Sequence, residues 1–125
     1  MKRRFRLTRS IDFQRVRRSG KSFSHPLVVL YAISPEARGD HEGLVRVGAI
    51  AGLAVGNAVK RNRAKRLLRA AMTDLLPQTL PGSDLLLIAR PALPGSDFQQ
   101  TRAALLSLLK RAGLLSPKYD DRTPA

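Results

Sequence analysis

Arg61, Asn62, Arg63, Lys65, Arg66 and Arg69 fall within nine consecutive positions, with Asn57 and Lys60 just ahead of them. Guanidinium and ammonium groups are donors without acceptors, so their chemistry is charge-assisted hydrogen bonding to phosphate or carboxylate oxygens. Covalent chemistry would instead need converging acids and bases. The nine carboxylates are Asp12, Glu36, Asp40, Glu42, Asp74, Asp84, Asp97, Asp120 and Asp121. Nearly all fall at helix starts, in an acidic loop or in the C-terminal tail, and no pair is spaced for acid–base work or for two metals. His25 and His41, the two imidazoles, sit in no ligand pattern and read as surface or edge residues. There is no cysteine, so disulfides, thiolate metal sites and Cys nucleophiles are excluded. No catalytic residue and no metal ligand is expected on this chain.

The cationic residues need a helix to aim them. Asn57 is a good N-cap, nothing from Ala58 to Leu76 breaks a helix, and Pro77 closes it. At about 100° per residue, Ala64, Leu67, Leu68, Ala71 and Leu75 share one arc. Arg61, Asn62, Lys65, Arg66 and Arg69 share another. Arg61, Lys65 and Arg69 follow at i, i+4 and i+8, where like charges repel by roughly 0.2–0.5 kcal/mol per pair. No acidic residue lies between Glu42 and Asp74 to relieve them. A solvated surface helix interleaves the two signs; one this one-sided is built for an external polyanion.

The 125 residues make one domain with a single core, and carry a net charge of +14. Such an imbalance points to nucleic acid or an anionic membrane. The most apolar window, Leu44 to Val59, contains Arg46 and is shorter than the roughly 20 residues a span requires, which makes the membrane the weaker option and nucleic acid the expected partner. The basic N-terminus is followed by no apolar stretch of a signal peptide, so a cytoplasmic location is expected.

In chain order, residues 1–9 form a basic arm, mobile until it meets its partner. Ser10 caps a helix from Ile11 to Arg18, ended by Gly20 at C′. Phe13 in it is either a core anchor or a platform for an unpaired base. Lys21 to Ser24 is a short strand, and Leu27 to Ile33 a longer one, whose Tyr31 is either a core tyrosine or a stacking surface. Ser34 to Gly43 reads as a loop, and Leu44 to Ala51 as the next strand, pairing with Leu27–Ile33 as a hairpin. Gly52 to Gly56 turns the chain into the basic helix with free backbone N–H groups at its start, without matching a phosphate-binding P-loop. Asp84 to Arg90 is a nearly continuous apolar run, suited to a strand covered on both faces. Ser96 with Gln99 makes a capping box for a helix from Asp97 to Ala112, with Phe98, Leu105, Leu109 and Ala112 on one side, stopped by Gly113. Ser116 to Ala125 is a disordered tail. The expected fold is α+β: a two-layer sandwich of about four strands and three helices in the order α-β-β-β-α-β-α.

The string from Val55 to Arg69, V-G-N-A-V-x-R-N-R-x-K-R-x-x-R, resembles the hallmark of the protein subunit of bacterial ribonuclease P. The resemblance extends to Leu7, Asp12-Phe13, Val16 and Gly20 upstream, to Arg46-Val47-Gly48, and to Ile88-Ala89-Arg90-Pro91. It implies a non-catalytic partner of a large RNA that itself cleaves the 5′ leader from precursor tRNA. Mg²⁺ would be held mainly by that RNA, and the protein would enter the holoenzyme as a monomer. Carried over by residue, Arg61, Asn62, Arg63, Lys65, Arg66 and Arg69 match the RNA-facing motif. Phe13 and Tyr31 match aromatic positions of a cleft for the single-stranded leader, and Arg46 lies near it. The resemblance also implies a left-handed crossover joining the third and fourth strands through the basic helix, against the usual hand. Two positions depart from the pattern. Gly52-Leu53-Ala54 stands where relatives have Ser-Lys-Lys, and Arg17 occupies a cleft position that is often aromatic, where an ionic contact with the leader would replace stacking.

Composition alone also allows a ribosomal or general RNA-binding protein with no part in cleavage; the V-G-N-A-V-x-R-N-R-x-K-R string separates the two readings. A stand-alone nuclease lacks the residues for its chemistry.

Overall fold

The computed structural model describes residues 1–39 and 43–116. His41 and the expected tail from residue 117 onward lie outside the described residues.

The apolar run that begins at Asp84 dictates the sheet. Its strand, Asp84–Ala89, is buried along nearly its whole length, and a strand apolar on both faces belongs inside a sheet. Numbering strands along the chain, β1 is Lys21–Ser24, β2 Val28–Ile33, β3 Arg46–Ile50 and β4 Asp84–Ala89, in the spatial order β1-β2-β4-β3. β4 is antiparallel to β2 and parallel to β3. The expected hairpin between Leu27–Ile33 and Leu44–Ala51 therefore does not form, because β4 inserts between them. β2 instead forms its hairpin with β1, across a turn in which His25 Nδ1 accepts from Leu27 N at 3.1 Å.

Among the described residues four α-helices accompany the sheet: α1 Ser10–Ser19, α2 Pro35–Arg38, α3 Ala58–Leu75 and α4 Phe98–Arg111. The α+β class and the expected order of long elements hold. α3 and α4 cover one face, where Ala64, Leu68, Ala71, Met72 and Leu75 of α3 meet Leu105, Leu108 and Leu109 of α4 and the strand residues Leu30, Val47, Leu85 and Leu87. Burying each such leucine stabilises by about 1.5–3 kcal/mol. Met72 takes the inward place expected of Leu67, which is half-buried. α1 lies on the opposite face, where Val16 joins Leu7, Ile33 and Leu86 in a smaller core.

Several local expectations are corrected. Ser10 is the first residue of α1 rather than its cap; Arg9 holds the cap position without a side-chain bond. Gly20 is extended, with φ −82°, and is required for space: a β-carbon would sit 2.5 Å from the Val16 carbonyl oxygen and 2.9 Å from that of Ala32. The region read as a loop from Ser34 contains α2, because Ser34 Oγ accepts from Ala37 N, Pro35 fits the first turn, and Gly39 adopts φ 78°. The α4 capping box is Asp97 with Gln100, one residue later than expected. Ser96 is buried instead, bonding to the Leu93 carbonyl at 2.7 Å.

The N-terminal arm is docked. Leu7 is buried, its N–H donates to the Val47 carbonyl at 2.8 Å, and Arg6 bridges to Val47 in parallel register. The exposed edge of β3 offers unpaired backbone groups, and the arm satisfies part of it.

Candidate nucleic-acid interface

α3 begins as the sequence requires. Asn57 Oδ1 accepts from Lys60 N at 3.0 Å, capping a first turn whose donors would otherwise be unsatisfied. Gly56 enters the turn at φ 136°, ψ −153°, a region open only to glycine. The buried stripe turns the remaining positions outward. Arg61, Lys65 and Arg69 rise along one flank and Asn62 and Arg66 face away from the core. Lys60 is exposed at the start of the helix.

Among the described residues, none of Lys60, Arg61, Lys65, Arg66 and Arg69 forms a salt bridge with a carboxylate. The one acidic residue of α3, Asp74, is paired with Arg102 of α4. Burial, and next the positive charge of Arg6 on the docked arm, lower the Arg69 guanidinium below its usual pKa. A cationic side chain that accepts a like-charged neighbour in place of an acid is suited to an anion from outside. Just ahead of α3, Leu53 is 84% exposed, so this approach to the helix is apolar.

Arg63 stands apart from this group. Its Nε donates to the Pro94 carbonyl at 2.8 Å and its Nη2 to that of Ser96 at 3.2 Å. It therefore ties α3 to the turn before α4, on the flank opposite Arg61, Lys65 and Arg69.

The second group of expected residues meets on the α1 face of the sheet. Strand register sets Tyr31, Leu86 and Gly48 in one row across β2, β4 and β3, with Val29, Ile88 and Ile50 in the next row on the same face. α1 spans the first row with two residues one turn apart. The Phe13 ring rests on Gly48, and the Arg17 guanidinium carbon lies 5.7 Å from the Tyr31 ring centroid. Phe13, Tyr31, Ile50 and Ile88 are half-buried against the Val16 core, leaving an apolar floor beside α1 with one cation above it.

A third row, Ile33, Asp84 and Arg46, contains a feature the sequence reading did not single out. The Asp84 side chain is fully buried. Arg46 of β3 binds it with two bonds, Nε to Oδ1 at 2.8 Å and Nη2 to Oδ2 at 2.9 Å. Arg15 of α1 adds a bond of 2.8 Å and Arg38 of α2 one of 3.0 Å. Burial alone would raise the Asp84 pKa; the bonds from Arg46 and Arg15 and the charges of Arg46 and Arg38 outweigh it and hold the carboxyl below 3.8. Arg46, expected near the cleft, is thus fastened to Asp84 as part of the joint that sets α1 on the sheet. Asp84 was legible only as the polar first residue of an apolar strand.

The remaining described carboxylates also have structural places: Asp12 beside Arg9 and Arg15, Glu36 in the first turn of α2, and Asp97 at the α4 cap. Among the described residues no three His, Cys, Asp or Glu side chains gather as metal ligands, and no helix is long and apolar enough to cross a membrane.

The sequence model of the family described as Ribonuclease P matches residues 1–113. A ribonuclease P protein component from Roseiflexus sp. is 40% identical over 116 residues, covering 92% of this chain and 91% of the relative. The structure of the Staphylococcus aureus RNase P protein superimposes with a TM-score of 0.74 at 27% identity, over 90% of this chain and 98% of that one. That of Thermotoga maritima gives a TM-score of 0.71 at 29% identity, over 85% and 96%.

Proposed function

The chain belongs to the ribonuclease P protein family, and from that membership we propose that it binds the catalytic RNA of ribonuclease P through α3 and the 5′ leader of precursor tRNA through the α1 cleft. As a subunit of this endoribonuclease it serves tRNA 5′ processing. The RNA carries the hydrolytic step, because Asp12, Asp74, Asp84 and Asp97 are engaged in ion pairs or a cap and Glu36 stands alone in the first turn of α2, so no described pair is poised as acid and base. Mg²⁺ belongs mainly to the RNA for the same reason. The protein acts as one copy per holoenzyme, in the cytoplasm.

One observation carries this reading: Arg61, Lys65, Arg66 and Arg69 project from α3 without a carboxylate partner among the described residues. Two polyanions, the catalytic RNA and its substrate, repel one another, and divalent cations or a basic protein can relieve that repulsion. The protein contributes by neutralising phosphates on both, which raises substrate affinity when Mg²⁺ is scarce. Phe13 and the neighbouring apolar floor supply base stacking, which tolerates any sequence because every base has a π face.

Leader removal from precursor tRNA by the catalytic RNA at low Mg²⁺, with and without this protein, tests the proposal. Stimulation is expected; cleavage at the same rate in both reactions would overturn it.

A further inference from the structure

The cleft has two chemically different ends. Phe13 and Arg17, four residues apart on α1, stand over the same strand row, Phe13 against Gly48 and Arg17 against Tyr31. Arg9 and Arg15, earlier in this part of the chain, are engaged with Asp12 and Asp84, whereas Arg18 beside Arg17 is exposed in the last turn of α1. Arg17 is exposed and, among the described residues, has no carboxylate partner.

A cation over an aromatic ring at an exposed site gains about 0.5–1 kcal/mol. That is enough to favour one placement of a flexible side chain, and it leaves the charge and the outward N–H groups available. The Tyr31 face that Arg17 covers is closed to a base unless the guanidinium moves aside. A phosphate oxygen meets no such obstacle, because guanidinium N–H groups lie in a plane whose edge suits two oxygens of one phosphate.

We propose that Arg17, held over Tyr31, makes this end of the cleft a subsite for a backbone phosphate of the leader, while the Phe13 end takes a base. This rests on the assignment of the cleft to the leader. The contact is independent of leader sequence and adds a salt-sensitive component to substrate binding.

The test uses the protein reconstituted with the catalytic RNA, and precursor and mature tRNA as ligands across a range of monovalent salt. Arg17→Gln is expected to weaken precursor binding by up to about fivefold at low salt, leaving mature tRNA unaffected. The slope of log K against log salt should become shallower by about 0.7, the value for one phosphate contact on a single strand. Arg17→Phe should flatten the slope equally yet retain affinity at high salt by stacking, so that its curve crosses that of the parent. A precursor whose leader carries uncharged methylphosphonate linkages should bind the parent and Arg17→Gln alike.

An unchanged slope in Arg17→Gln, or a continued difference between the two proteins on the methylphosphonate leader, would overturn the phosphate subsite. Phe13→Ala separates this from failure of the cleft itself. If Phe13→Ala weakens precursor selectively while Arg17→Gln changes nothing, only the subsite is wrong; if neither substitution alters the parental preference for precursor over mature tRNA, the leader does not occupy this cleft.

Discussion

Cε1 of Phe13 lies where it would be 2.6 Å from a β-carbon on Gly48, so the ring of α1 rests directly on the backbone of β3. Gly48→Ala must displace that ring. The variant is expected to lose about 1–3 kcal/mol of stability through overpacking and to bind leader-bearing substrate more weakly, with the affinity for catalytic RNA unchanged. Urea unfolding and parallel titrations with precursor and mature tRNA check this; parental discrimination between the two tRNAs would show that the ring position does not matter.

Arg66 and Phe13 lie on opposite sides of the sheet, one on exposed α3 and one in the α1 cleft. Arg66→Ala is expected to weaken binding of the catalytic RNA, and Phe13→Ala mainly to weaken binding of precursor tRNA. Direct binding of both proteins to both RNAs measures the division of labour. Equal losses of both variants on both ligands would refute it.

Arg63 belongs to the same sequence motif as Arg66 but is bonded to Pro94 and Ser96 carbonyls. Arg63→Ala should therefore cost roughly 1 kcal/mol of folding stability and reduce RNA affinity less than Arg66→Ala does. A larger loss of RNA affinity at unchanged stability would assign Arg63 to the RNA instead.

Asp84 gives the fold an acid limit. Its pKa is lower folded than unfolded, so its contribution is fully present above the ordinary value of 3.8 and is lost as pH falls through the folded pKa. Asp84→Asn removes the buried charge that three half-buried guanidiniums share, and is expected to cost about 3 kcal/mol near neutral pH. Stability measured from pH 7 down to about 2 should fall less steeply for the variant than for the parent below the unfolded carboxylate range. Parallel curves would place the acid sensitivity elsewhere.

What was legible in the sequence follows from how local the signals are. Asn57 and the spacing of Ala64, Leu68 and Ala71 specify α3 within one segment, and its cationic side with it. The strand order was not legible, because whether Leu27–Ile33 meets Leu44–Ala51 or Asp84–Arg90 depends on which strand most needs two covered faces. Asp84 was legible as the polar first residue of an apolar strand but its ion pairs were not, since its partners Arg15, Arg38 and Arg46 are 69, 46 and 38 residues away. The docked arm was missed for a similar reason: the Val47 backbone that receives Arg6 and Leu7 is set by the sheet, and charge alone made residues 1–9 look unattached. Arg63 shows the limit of motif reading, since neighbours in one string face different surroundings around a helix.

In the function proposed above, phosphates of the catalytic RNA complete the positive side of α3. The most direct measurement of that contact is the affinity of the protein for that RNA as a function of monovalent salt, compared with a variant in which Arg61, Lys65, Arg66 and Arg69 are all glutamine. Engagement of about six phosphates predicts a slope of very roughly −5 in log K against log salt, made shallower by several units in the variant. A parental slope in the variant, or a nearly flat dependence in both, would contradict the account.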